Sequence, residues 1–147
     1  MRRRKTVYLL DPFLATLRRA AISDKREAED IKTLIGCDGV DAVAFDEAHS
    51  VYFDDVGLNV GITGYTTIDG HADPLGGRLV ITHNDAYQNA PAISLEACVL
   101  RLNVFRAVMD PIIDTSRAET GELITFISVV TGFRLRIASV MIEIIDL

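Results

Sequence analysis

The chain has little cysteine and nothing that organises it: Cys37 and Cys98 stand apart, with no C-x-x-C or Cys/His spacing around either. That excludes a disulfide framework and predicts two reduced core thiols in a cytoplasmic protein. Internal repeats and low-complexity tracts are missing. No export signal is expected, because the apolar run behind the basic start is only Val7 to Leu10 before Asp11-Pro12 stops it, too short for an h-region. An uncharged membrane span is lacking too. Leu123 to Ile145 is long and mostly apolar, but Arg134, Arg136 and Glu143 sit inside it. Each arginine near a helix centre costs roughly 2.5 to 3.5 kcal/mol against a few tenths gained per apolar residue, so no transmembrane helix is expected.

What is present suits one buried core. The 147 residues are 49% hydrophobic, which predicts a single domain over residues 1–147. Fifteen basic residues against 21 acidic ones give a net charge of −6, which repels nucleic-acid phosphates unless the basic residues cluster. They cluster once, at Arg2 to Lys5. A solvated tail explains that cluster most simply, so nucleic acid is disfavoured as a partner.

Val7 to Leu10 reads as a buried strand ended by the Asp11-Pro12 turn. Phe13 to Ile22 is open between a helix, with Asp11 as N-cap and Pro12 at its first position, and a returning strand. A helix is predicted from about Lys25 to Ile35. Asp24 and Glu27 have capping-box spacing, Ala28, Ile31, Leu34 and Ile35 make an apolar stripe, and Gly36 stands where a left-handed residue ends a helix. Val40 to Phe45 and Ser50 to Phe53, joined by Asp46-Glu47-Ala48-His49, predict a hairpin. A glycine-punctuated stretch, Gly57, Gly61 and Gly64, leads to Tyr65 to Ile68; the loop Asp69 to Gly77 and the strand Arg78 to Thr82 follow.

A second helix is predicted from Ser94 as N-cap, with Cys98, Leu102, Phe105 and Met109 at i, i+4, i+7 and i+11 and Asp110-Pro111 as its end. Those four residues and Leu34 are the predicted helix contribution to the core. Further on, Leu123 to Thr131 is β-branched and aromatic, Gly132 interrupts it, and Phe133, Leu135 and Ile137 alternate with arginines. This is a hairpin signature, with a helix carrying the polar stripe Arg136, Ser139, Glu143 and Asp146 as the competing reading. Both faces of Leu123 to Val130 are apolar and need cover, so a homodimer using this segment is expected. The expected fold class is α+β: a small, mostly antiparallel sheet with two amphipathic helices and a C-terminal β-rich extension.

All three histidines lie in or beside polar loops near carboxylates. Asp69, His71 and Asp73 have the donor types for a divalent ion. Loop Asp and Asn residues ordinarily bond their own backbone, however, and the spacing is not a dedicated ligand motif, so neither metal nor cofactor is assigned. Asp54 and Asp55 are neighbours that would point to opposite faces of a continuing strand and could not share a proton there, and before Val56-Gly57 they read as turn formers. No serine or cysteine sits in a nucleophile elbow. The glycines lie between strands, whereas a phosphate loop runs into a helix N-terminus. Asp69, His71 and Asp73, with His83 and Asp85 at a neighbouring strand end, therefore form the candidate ligand- or partner-binding edge.

Five blocks in order carry a family resemblance: Val7-Tyr8-Leu9-Leu10-Asp11-Pro12-Phe13, Leu34-Ile35-Gly36-Cys37-Asp38, Val51-Tyr52-Phe53-Asp54-Asp55-Val56-Gly57-Leu58, Pro74-Leu75-Gly76-Gly77 before Val80 and Ile81, and Ile93-Ser94-Leu95-Glu96. Over about Thr6 to Val108 the chain resembles a family of small proteins of unknown function from phages, prophages and other mobile elements of proteobacteria. The resemblance implies an α+β core over residues 6–108, an accessory role and no catalytic residues, and it favours the hairpin for Phe13 to Ile22. Residues 109–147 have no counterpart in that family and form an extension, read as a β-hairpin.

The expected function is a non-enzymatic accessory protein of phage or mobile-element type that binds a host protein or other macromolecule, or sequesters a small ligand. A small metal-dependent hydrolase using the loops around Asp69–Asp73 and His83–Asp85 is the alternative. A nucleic-acid binder using the basic N-terminus with Arg18, Arg19 and Arg26 is the second.

Overall fold

The computed structural model describes residues 3–57 and 64–146. Arg2 of the basic cluster, Leu58 of the third resemblance block and Gly61 of the glycine-punctuated stretch lie outside them. The described residues hold ten strands, two short α-helices and a 3-10 turn at Asp24–Arg26. The fold is therefore β-rich, which corrects the expected α+β sheet with two amphipathic helices. Two units divide the chain: Met1–Arg106 with Ser139–Leu147, and Ala107–Ala138.

In the first unit, β1 (Arg4–Asp11) and β2 (Thr16–Ser23) pair antiparallel from Arg4 opposite Ser23 to Asp11 opposite Thr16. Asp11 does accept the N–H groups of Phe13 (2.9 Å) and Leu14 (3.3 Å) as an N-cap would. No helix propagates, because Ala15 takes a left-handed conformation (φ 52°) and turns the chain back. α1 (Glu27–Ile35) follows and ends at Gly36, also left-handed. Asp24 makes no capping box; the first turn is anchored instead by the Asp30 carboxylate, which accepts the Ser23 N–H at 2.7 Å.

β3 (Val40–Ala44) and β4 (His49–Asp54) form the hairpin around Asp46-Glu47, and β7 (Leu79–His83) joins β4 to β1. The six-stranded sheet has the order β10-β2-β1-β7-β4-β3, and its edge strand β10 (Glu143–Ile145) runs parallel to β2. One face packs Val7, Leu9, Ile22 and Val80 under Ile31 and Ile35 of α1. The other packs Leu10, Leu17, Val51 and Ile81 against β5 (Gly64–Ile68), β6 (Leu75–Gly76), the start of β8 (Leu102–Thr120) and α2 (Leu95–Val99). Cover on both faces is why Val7 to Leu10 is apolar without alternation.

α2 is only five residues long, capped by Ser94 Oγ accepting the Ala97 N–H at 3.1 Å. The predicted helix running on to Met109 is not formed. Leu102 instead enters β8 opposite Ile68, and burial then alternates with period two: Leu102 and Val104 inside, Asn103 outside. Phe105 is half-buried in a 5.0 Å stack with Tyr65, and Met109 is 62% exposed. Leu34 is likewise half-buried rather than buried. An i, i+4, i+7 apolar spacing also fits a strand when Val, Phe and Val follow, and the backbone of β5 supplies the partners that decide between them.

In the second unit, β8 and β9 (Leu123–Val140) are joined by Gly121-Glu122. Gly121 has φ 63°, the glycine-first geometry of a tight two-residue hairpin. This turn sets Thr120 opposite Leu123 and, five places back, Thr115 opposite Ser128. Two side-chain contacts keep that register: Thr115 Oγ1 with Ser128 Oγ at 3.0 Å, and Thr131 Oγ1 donating to the Ile112 carbonyl at 3.4 Å. The competing helix over Phe133 to Asp146 is not adopted.

Candidate functional site

The proposed loop edge resolves into two separate sets of bonds. Asp69 is tied to the start of β8: its N–H donates to the Arg101 carbonyl (3.0 Å), its own carbonyl accepts from Arg101 Nη2 (2.9 Å), and its carboxylate accepts from Asn103 Nδ2 (3.2 Å). His71 is half-buried in the turn, with its N–H on the Ile68 carbonyl, and Asp73 is exposed. His83 ends β7, its Nδ1 accepting the Asp85 N–H at 2.9 Å, while the Asp85 carboxylate accepts the Tyr87 N–H at 2.9 Å. Among the described residues, no hydrogen bond or ion pair joins Asp69–Asp73 to His83–Asp85, and no three His, Cys, Asp or Glu side chains converge as metal ligands. Asp54 accepts the Val56 N–H at 3.0 Å and forms a turn. At Gly57 a Cβ would lie 2.8 Å from the Gly76 carbonyl oxygen, so this glycine permits strands to approach rather than cradling a phosphate.

Of the basic residues at the N-terminus, Arg3 and Lys5 are engaged with their own chain. Lys5 is buried, its Nζ bonded to Glu27 Oε1 (3.4 Å) and the His83 carbonyl (3.2 Å); Arg3 holds Asn89 Oδ1 (2.5 Å) and the Tyr87 carbonyl (2.6 Å).

A buried histidine that sequence reasoning assigned to a plain loop is the most constrained polar group here. His49 opens β4 opposite His83 and is 2% exposed. Its Nε2 accepts the Ala92 N–H (2.9 Å), which requires the proton on Nδ1, and Nδ1 donates to Asp46 Oδ1 at 2.8 Å. Asp46 also accepts the Ala48 N–H. Burial alone would raise the Asp46 pKa, but the hydrogen bonds from His49 and Ala48 outweigh it and hold the carboxyl below its ordinary range. Arg101 lies over the Phe45 ring at 4.4 Å and 4.0 Å from Asp46 Oδ2. With both ring nitrogens occupied, His49 has none left for proton transfer or metal ligation. The cluster locks the β3–β4 loop to the segment before α2. Cys98 is equally inert, since burial pushes its thiol up to about 12. The i, i+3 spacing of Asp46 and His49 was the available sequence signal for this lock.

The arm in the second unit is different in kind. Every residue from Pro111 to Thr131 is exposed. On β9 the apolar side chains stand out on both faces, Phe126 at 66% and Ile127 at 52% exposure, whereas the β8 stretch Asp114 to Thr120 is polar apart from Ala118. β9 also lies at the edge of its sheet, so no strand among the described residues pairs with its far side.

No family model and no solved structure matches the chain. Two proteins of rhizobia are similar to it. Uncharacterized protein y4iR of Sinorhizobium fredii (strain NBRC 101917 / NGR234) is 29% identical over 136 residues, which cover 91% of this chain and 84% of that protein. Protein PsiB of Rhizobium leguminosarum bv. phaseoli is 30% identical over 101 residues, 67% of this chain and 75% of that protein.

The chain belongs to the PsiB family.

Coverage of 91% takes in most of the segment after Met109. The matched stretch therefore extends into the arm region. Both relatives are rhizobial, and nothing in the comparison shows a phage or mobile-element origin. Among the described residues of this PsiB-family chain, no helix is long and apolar enough to cross a membrane.

Proposed function

We propose that this PsiB-family protein acts by binding rather than by catalysis, and that the β8–β9 arm is its docking element. The observation that carries the reading is the exposure of large apolar side chains on both faces of β9, a feature that marks interaction surfaces where such side chains cluster. Extended apolar strands suit another polypeptide better than a small molecule, which is ordinarily held in an enclosed apolar pocket. The groove beside α1, about 360 Å³, is lined by Glu29, Lys32, Thr33, Gly36, Cys37 and Asp38 and is polar and open. A cytoplasmic setting belongs to the same reading, supported by the free thiols of Cys37 and Cys98. So does an accessory, mobile-element origin, supported by the ordered residue blocks between Thr6 and Val108.

Native mass spectrometry of protein purified from cells, with a phosphoester and nucleotide hydrolysis panel, tests this. The expected result is no turnover and an associated species that disappears when Phe126 and Val130 are both changed to Ser. Bound metal with turnover that Asp73→Ala and His71→Ala together abolish would overturn it in favour of a hydrolase.

A further inference from the structure

Resting on the reading of the arm as a docking element, we propose that its partner is a second copy of this chain, paired antiparallel through the free edge of β9 about a two-fold axis at Ser128. Two observations point this way.

The first is the state of the edge. Exposed edge strands are normally blunted by lysine, proline, inward charges or a covering loop. The eleven residues Leu123 to Phe133 contain no charge and no proline, and they line an edge that pairs with nothing among the described residues. A two-stranded hairpin is marginal in water, and adding strands is what stabilises it. Pairing β9 with β9 of a second copy makes a four-stranded β8-β9-β9-β8 sheet, with the apolar strands central and the polar stretches of β8 outermost.

The second observation fixes direction and register. The uncharged run is closed by opposite charges, Glu122 on one side and Arg134 on the other. Antiparallel pairing about Ser128 sets Glu122 of each copy opposite Arg134 of the other. Within the run it sets Phe126 opposite Val130, Ile127 opposite Val129 and Thr125 opposite Thr131. Moving the axis by one residue puts Arg134 against Ile124 or Thr120 instead, and a parallel in-register pair puts like charges together, which is destabilising. Arg136 does not compete, because Asp110 of its own arm accepts its Nε–H at 2.5 Å. Interfaces that recognise themselves across a two-fold axis need this kind of self-complementarity.

The test uses the full chain in sedimentation velocity and native mass spectrometry. Wild-type protein is expected to be a dimer. Glu122→Arg and Arg134→Glu, both at exposed positions, should each weaken the dimer about tenfold or more by opposing like charges, with melting of the first unit unchanged. An equimolar mixture of the two variants should recover the dimer as a heterodimer of intermediate mass, since both charged contacts across the two-fold axis then join opposite signs again. A wild-type monomer at every concentration would overturn the self-pairing and leave the docking reading intact. A dimer indifferent to both substitutions, or a mixture that does not form the heterodimer, would overturn the register proposed. The docking reading fails separately, if making Phe126 and Val130 polar changes no association of any kind.

Discussion

At the residue scale, the polar groups that looked available are mostly spoken for. His49 has a carboxylate on one nitrogen and a backbone N–H on the other, and Asp69 is pinned by Arg101 and Asn103. Cys98 carries a measurable consequence of its burial. Its thiol titrates near 9.0 when unfolded and at about 12 in the fold, so between those values the folded state holds a proton the unfolded state has lost. The raised pKa therefore contributes stability that is complete below pH 9 and is lost as pH rises toward 12, at most about 4 kcal/mol. Denaturation midpoints of wild type and Cys98→Ala measured from pH 8 to 11 should converge as pH rises; a constant gap would show that Cys98 does not titrate with unfolding.

At the scale of elements, the junction of α2 and β8 is where helical periodicity and tertiary pairing disagreed. In a helix from Ser94 to Met109, Leu102 and Met109 would share one buried stripe and cost alike on truncation. In the strand, Leu102 is buried opposite Ile68, while Met109 stands in solvent. Leu102→Ala should thus lower stability by about 2–5 kcal/mol as a large-to-small core change, and Met109→Ala by less than about 0.5 kcal/mol as a surface one. Urea titrations of the two variants decide it. Equal losses would restore the helix. The β1–β2 hairpin shows the same competition in miniature: Asp11 makes both N-cap bonds, yet the chain returns as a strand because β2 finds eight partners along β1.

At the scale of the whole molecule, the last residues belong to two different parts of the fold. β10 pairs with β2, and Val140, Ile142 and Ile144 pack against the core, whereas residues 107–138 form a unit of their own. Replacing residues 107–138 by a short Gly/Ser linker should leave a cooperative thermal transition close to that of the intact chain. Removing Thr120 to Leu147 takes away β10 as well and should abolish that transition; if both shortened proteins melted alike, β10 would contribute nothing to the core. Residue types alone were enough for what depends on local chemistry: the Val7–Leu10 strand, the hairpin around Asp46-Glu47, the helix ending at Gly36 and the β-branched character of Leu123 to Val130. They also marked that last segment as apolar on both faces. It took the tertiary structure to show that Leu102 leaves a helix, that His49 is sealed between Asp46 and Ala92, and that Asp69 and His83 are held by separate sets of bonds. Those outcomes depend on which distant backbone groups arrive as partners, and a pattern of residue types does not encode that arrival.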